Sequence, residues 1–325
     1  MNVKEILINR LSLSDGEYIS GAELARQIGV SRNAVWKAVK SLENDGYIIE
    51  SVTSKGYRIA SQSNKLSVEI ITSKLNAKKL GKRIIILDKT DSTNNYAKNI
   101  AAKGAVHGTV VVADTQTAGK GRLGRNFVSP FGMGLYMSVI IRPTFSIDVA
   151  ALITSAAAVA SAEAVEKLCG NDVHIKWVND LYMNGRKICG ILTEASMGLE
   201  ISSPDYVVIG IGINVRKFEF DDELGKRVSS IETETGKIIN RNELCALVLD
   251  RLEYYIYNLE KRSHIDEYKR RELLTGNIIT ASIGTEKIMG RAVGIDDNAN
   301  LIIETENGGR RNLSSGEANL VRIKN

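Results

Sequence analysis

The sequence predicts an α+β fold in three parts: an N-terminal winged helix-turn-helix over residues 1–60, a central mixed-sheet domain over 66–274 and a small β-barrel over 275–325. Three observations carry that division. The first sixty residues hold helical periods followed by two short alternating stretches. The middle interleaves apolar strands with helices, and the last fifty residues carry strands and turns alone. A chain of 325 residues has room for two or three domains, and its 43% hydrophobic and 25% charged residues describe a soluble protein with a large core.

In the first part, Val3, Ile6, Leu7 and Leu11 recur at helical spacing. Ser20 caps a second helix that turns Leu24, Ala25 and Ile28 inward and stops at Gly29. Ser31 caps a third, which carries Val35, Trp36, Val39 and Leu42 and ends at Asp45-Gly46. Two helices joined by a short turn containing glycine form the helix-turn-helix pattern. Segments 47–52 and 56–59 then alternate about a turn at 53–55 and predict a wing. Residues 1–60 hold eight Lys and Arg against seven Asp and Glu, yet between 31 and 41 Arg32, Lys37 and Lys40 stand without an acid. The face formed by Ser31, Arg32, Asn33, Trp36, Lys37 and Lys40 therefore suits a DNA major groove; the competing reading is a winged helix used only for protein contacts. Residues 61–65 make a polar break.

In the central part, strands are predicted at 83–87, 109–113, 135–142, 173–178, 187–195 and 206–215, with helices at 67–75, 94–102, 148–168 and 241–261. The apolar run 149–162 is too short to span a bilayer and reads as a buried helix. Asn184-Gly185 is a hairpin turn signal, which would pair Tyr182 with Lys187 and Asp180 with Cys189. Strand alternation then puts Lys176, Asp180 and Lys187 on one face and Trp177, Asn179 and Ile188 on the other. Asp180 and Lys187 become diagonal neighbours about 7–8 Å apart, flanking a common ligand. In the last part, strands at 278–283, 287–295, 301–305 and 320–323, separated by turns at 296–298 and 307–309, predict the barrel.

The chemistry concentrates in residues 119–125, where Gly119, Gly121 and Gly124 alternate with Lys120, Arg122 and Arg125. Glycines admit close backbone approach and the cations supply charge-assisted hydrogen bonds to anions. The segment satisfies G-x-G-x-x-G, but the run Asp114-Thr115-Gln116-Thr117 separates it from its strand, and Ser129, Pro130 and Gly132 prevent the helix that a dinucleotide site needs. A phosphate loop of the Lys-Ser/Thr type fails as well, since Gly121 follows Lys120. What is left is a cationic loop between strands that orders over a small anion. The net charge of +5 permits nucleic-acid contact, while the scattered Cys169, Cys189 and Cys245, and His107, His174 and His264, give neither a disulfide framework nor a metal cluster. The first residues, Met1 to Glu5, do not read as a signal peptide, and a cytoplasmic protein is expected.

Five segments in order carry a family resemblance: Asp91-Ser92-Thr93-Asn94, the stretch 116–125, Lys176-Trp177-Val178-Asn179-Asp180, the stretch 186–192, and Gly210-Ile211-Gly212-Ile213-Asn214-Val215. Together they resemble the motif set of biotin protein ligases, and with the N-terminal unit the whole chain resembles the bifunctional ligases that also repress a biotin operon. Lys120, Phe127 and Val178 stand where the family commonly has Arg, Trp and Pro.

The resemblance implies a central domain similar to class II aminoacyl-tRNA synthetases and an SH3-like C-terminal barrel. It implies biotin, ATP and Mg²⁺, with biotinyl-5′-AMP formed first and biotin then passed to a lysine of a biotin carboxyl carrier domain. Lys187 and Arg122 become the catalytic cations. Ser92, Thr93, Asn94, Gln116, Gly119, Lys120, Gly121 and Gly190, together with Arg122 and Lys187, would bind biotin. Arg125, Lys176, Asn179, Asp180 and Asn214, with Arg122 and Lys187, would bind ATP; which residue holds the metal stays open. The implied partners are the carrier domain, operator DNA and, with biotinyl-AMP bound, a second copy of the chain, with no membrane. Two other readings are a ligand-sensing regulator without catalysis and a lipoate ligase.

Overall fold

The computed structural model describes residues 2–14, 16–60, 64–197 and 204–321. Helices α1 (Val3–Leu13), α2 (Gly21–Ile28) and α3 (Arg32–Asn44) pack Leu7, Leu11, Leu24, Val35, Val39 and Leu42 into a small core, and strands β1 (Ile49–Val52) and β2 (Gly56–Ile59) form the antiparallel wing. The predicted caps are present. Ser20 accepts from Glu23 N, Ser31 accepts from Ala34 N, and α2 ends on Gly29 at φ 77°, a left-handed position that favours glycine.

Helix α4 (Val68–Lys74) belongs to two cores. Ile70 completes the N-terminal core, whereas the adjacent Ile71 faces the central one. The chain leading into α4 is fixed by Asn242, which accepts from Ser67 N at 2.8 Å and donates to Lys65 O at 2.8 Å. Asn64 donates to Gly132 O and accepts from buried Arg241. Residues 61–63 of the expected polar break lie outside the described residues.

The central domain is a seven-stranded sheet in the order β3-β4-β5-β9-β8-β7-β6: β3 (Arg83–Leu87), β4 (Thr109–Ala113), β5 (Gly134–Ile141), β6 (His174–Lys176), β7 (Asp180–Met183), β8 (Arg186–Met197) and β9 (Pro204–Asn214). Only β3 and β4 run parallel, joined through α5 (Thr93–Ala102); the other neighbours are antiparallel. Strand alternation splits the two faces. Val111, Ile140 and Val208 pack against Ala97 and Ala101 of α5, whereas Val110, Val112 and Ile209 join the main core with α7 (Ile153–Cys169) and α10 (Arg241–Tyr257).

The helix expected at 148–168 is interrupted: α6 (Ile147–Ala150) precedes α7, with a turn at 151–152. The stretch Asp148–Cys169 is long and apolar enough by composition to cross a membrane, but 67% of its most apolar 18-residue window is buried in the core. The short helices α8 (Asp222–Gly225), α9 (Ile231–Thr235) and α11 (Ile265–Arg271) were not apparent in the apolar periodicity, since each is one or two turns long.

The C-terminal strands β10 (Ile278–Ile283), β11 (Glu286–Ile295), β12 (Leu301–Thr305), β13 (Arg310–Leu313) and β14 (Glu317–Leu320) correct the expected barrel, SH3-like or otherwise. They form an open five-stranded sheet in the order β13-β12-β11-β10-β14, and the edge strands β13 and β14 do not pair. Closure needs edge-to-edge hydrogen bonding. Instead, β14 presents Glu317 and Asn319 to the central domain, while β13 keeps three exposed residues. The last strand lies at 317–320, not 320–323; residues 322–325 are outside those described. The inner face, with Ile279, Ala281, Ala292, Leu301 and Ile303, is continuous with the main core, and Trp177 Nε1 donates to Ala299 O at 3.0 Å across the junction.

Candidate active site

The α5 face of the sheet carries a cavity of about 710 Å³. Its floor follows from register. Tyr136, Gly212, Gly190, Asp180 and Lys176 lie in one cross-strand row, and Ser138, Gly210 and Leu192 in the next. Glycine in a strand weakens it but lets another group lie close. A Cβ on Gly212 would meet the Phe127 ring at 2.7 Å, and one on Gly210 would meet Asn94 Oδ1 at 2.2 Å. These two glycines alternate within a β-rich segment, and that spacing was the available signal for a bare floor.

At one end of the cavity, α5 begins beside Gln116. Thr93 donates from its backbone and its hydroxyl to Gln116 Oε1 (2.8 and 3.1 Å), and Gln116 Nε2 donates to Ser129 Oγ. Asn94 donates to Leu192 O and Glu194 and accepts from Ser138. Ser92 occupies the N-cap position, but its hydroxyl makes no cap bond. It is 1% exposed, lines the cavity and has no partner among the described residues. The unpaired hydroxyl is what a ligand's polar group would satisfy.

The other end is cationic. Lys187 and Asp180 are diagonal neighbours across the hairpin, as expected, and the Lys187 side chain spans the diagonal so that Nζ lies 2.7 Å from Asp180 Oδ1. The hairpin keeps the expected pairing of Tyr182 with Lys187, but Ile188 is an extra residue, so Asp180 lies opposite Gly190 instead of Cys189. Such a bulge increases the local twist of the strand. Asn179 is a second correction: the alternation put it with the buried Trp177, yet it lines the cavity, donates to Ile191 O and accepts from Arg122 at 3.2 Å.

Loop 119–128 covers the cavity without a helix; Arg122–Gly124 is a single 3₁₀ turn. Gly119 is not among the residues lining the cavity and packs the base of the loop: its carbonyl accepts from Phe127 N, and a Cβ there would meet Phe127 O at 2.4 Å. Lys120 donates to Asn95, and Arg125 makes a bidentate pair with Glu317 of β14. Lys176 donates to Asn319; burial lowers its pKa against the opposing charge of Asp180. Asn214 donates to Ser229 O, while its buried Oδ1 has no partner among the described residues. Gly121, Arg122, Arg125, Gly190 and Asn214 all line the cavity, as do Phe220, Leu224, Arg227 and Val228 from the segment after β9, which the sequence reading left unassigned.

Residues 85–214 match the biotin/lipoate A/B protein ligase family, residues 4–58 match an HTH domain, and residues 276–321 match the biotin protein ligase C-terminal domain. A bifunctional ligase/repressor BirA from Bacillus subtilis (strain 168) is 36% identical over 311 residues, covering 94% of this chain and 95% of the relative. The chain belongs to the bifunctional biotin ligase/repressor family. A BirA from Escherichia coli (strain K12) is 29% identical over 94% of this chain and 96% of its own length. A biotin protein ligase from Aquifex aeolicus solved with biotin and ATP matches at a TM-score of 0.62 and 30% identity, over 74% of this chain and 99% of that one. The chain is therefore a ligase of this family that carries its repressor domain.

Proposed function

We propose that the cavity joins biotin to ATP and passes biotin to a carrier lysine. The supporting observation is its polarity along one floor: an unsatisfied Ser92 hydroxyl at one end, glycines between, and Arg122, Lys176 and Lys187 at the other. Ser92, Thr93, Asn94 and Gln116 hold the ring end of biotin, with the backbone at Gly119, Lys120 and Gly121 closing over it and Gly190 beneath. The carboxylate then lies at Lys187 and Arg122. ATP occupies the end formed by Arg125, Lys176, Asn179, Asp180 and Asn214, so biotin's carboxylate oxygen attacks the α-phosphorus as the bond to pyrophosphate breaks. Lys187 and Arg122 neutralise charge developing there, and the closed loop keeps water from the mixed anhydride. In the second step the carrier lysine's amine attacks the acyl carbon and AMP leaves.

Asp180 is one carboxylate at the phosphate end, and the described residues contain no group of three or more His, Cys, Asp or Glu. That donor set fits Mg²⁺ arriving with phosphates, held by Asp180 and Asn179; its chemistry would be to neutralise phosphate charge.

For the repressor role, Ser31, Arg32, Asn33, Trp36, Lys37 and Lys40 are all exposed on or beside α3. Arg32 and Lys37 make no ion pair among the described residues, whereas Lys40 pairs with Glu43. We assign this face to operator DNA, with biotinyl-AMP promoting a dimer, in a cytoplasmic protein of units 1–60, 66–274 and 275–325.

Labelled biotin or lipoate with ATP and a biotin carboxyl carrier domain tests the ligase assignment. Biotin alone should label the carrier. Labelling by lipoate alone would replace the substrate, and no labelling would leave a regulator. Salt-dependent binding to a biotin-operator duplex tests α3, and its absence at low salt removes that role.

A further inference from the structure

The cavity floor continues past Leu192 to a charged pair that the proposed chemistry does not use. Glu194, opposite Val208 in register, accepts from Lys98 of α5 at 2.5 Å and from Asn94 Nδ2 at 2.8 Å. Burial opposes ionisation of Glu194, but the hydrogen bonds from Lys98 and Asn94 outweigh it and keep its pKa below the ordinary value.

Asn94 Nδ2 also donates to Leu192 O at 3.2 Å, so both amide hydrogens face acceptors and Oδ1 faces Ser138 at 2.6 Å. A carboxylate and a backbone carbonyl accept only, which leaves this amide one orientation. The fully buried Ser138 has a single hydroxyl hydrogen. Given to Asn94, it is not given to Thr93 Oγ1, 2.8 Å away. Thr93 then donates, to Ser138 or to Gln116, and its oxygen keeps lone pairs for a ligand. Inverting Asn94 would point N–H at Ser138, turn the Ser138 hydrogen onto Thr93 and occupy one of the two lone pairs there.

We propose that Glu194, anchored by Lys98, is a positioning residue for ligand recognition: through Asn94 and Ser138 it fixes Thr93 as a hydrogen-bond acceptor for the N–H groups of the biotin ring. The inference rests on the biotin reading of the cavity. Glu194 contacts neither reactant; it sets which way the hydrogens of the pocket point.

Glu194→Gln separates this from simple structural support. Lys98 claims the new amide's oxygen, so its NH₂ faces the Asn94 NH₂ and opposes the native orientation, which only the 3.2 Å bond to Leu192 O then holds. The KM for biotin should rise roughly tenfold, the worth of one buried hydrogen bond. The KM for ATP and the Tm should barely move. In the double variant Lys98→Met/Glu194→Gln the amide oxygen is released to face Asn94, and the biotin KM should return to within about twofold of the wild type. The proposal is overturned if E194Q keeps the wild-type biotin KM. It is equally overturned by a loss that K98M does not rescue and that follows Tm and the ATP KM together. If the wild-type chain transfers no labelled biotin to a carrier domain, the ligase reading falls, and the proposal with it.

Discussion

Lys187 sits on a strand whose register is set on both sides, and its charge rests against Asp180 until an anion competes for it. Lys187→Ala should lower the adenylation rate by about 10²–10³, the cost of removing a donor to developing charge; pyrophosphate release under single-turnover conditions measures it. Arg122 instead joins the loop to Asn179. Arg122→Gly should still make biotinyl-AMP but let it escape, detected as free adenylate in the filtrate. His264 gives a pH signature. It is fully buried against Ser155, its Nδ1 has no partner among the described residues, and burial lowers its pKa from 6.5 to about 4. The unfolded chain binds that proton first, so stability is complete above about pH 6.5 and is lost as pH falls toward 4. The loss is about 3 kcal/mol, readable from urea denaturation across that window and reduced in His264→Phe. The cations and the Ser92–Thr93–Asn94 segment were legible because motif spacing places them. Ser138, Glu194 and Glu317 were not, because their partners lie 44, 100 and 192 positions away.

Most long elements were readable from periodicity and caps, and the failures have local causes. The helix read as continuous from 148 breaks at 151–152, where no Pro or Gly marks the interruption. The bulge at Ile188 shifted one register by a residue, which a two-residue turn alone cannot report. In loop 119–128 the glycines read as ligand contacts, and Gly119 is in addition closely packed against Phe127. Gly119→Ala would bring a methyl to 2.4 Å from Phe127 O. The loop should then close poorly, raising the biotin KM and exposing Arg122 to trypsin in the presence of biotin and ATP.

At the scale of the molecule, three sequence units make one body with shared supports. Arg241 is 2% exposed and donates to Asp114 at 2.7 Å, to Gly134 O and to Asn64, joining α10, the end of β4 and the segment before α4. Arg241→Met leaves Asp114 buried without its cation and should cost about 3–5 kcal/mol of unfolding free energy, checked by chemical denaturation. The C-terminal sheet was predicted closed because strand count and spacing say nothing about whether the edges meet. Its edge contributes Glu317 and Asn319 to the cavity wall instead.

Because α4 gives Ile70 to one core and Ile71 to the other, the pose of α3 is inherited from the central sheet and not chosen by a linker. If two copies sat on one duplex, the distance between their α3 helices would be set by how the copies contact each other. The separation of half-sites along the DNA becomes a ruler for that contact, and a change of one base pair would turn one helix about 34° around the duplex relative to its twin, since 10–10.5 base pairs complete a turn.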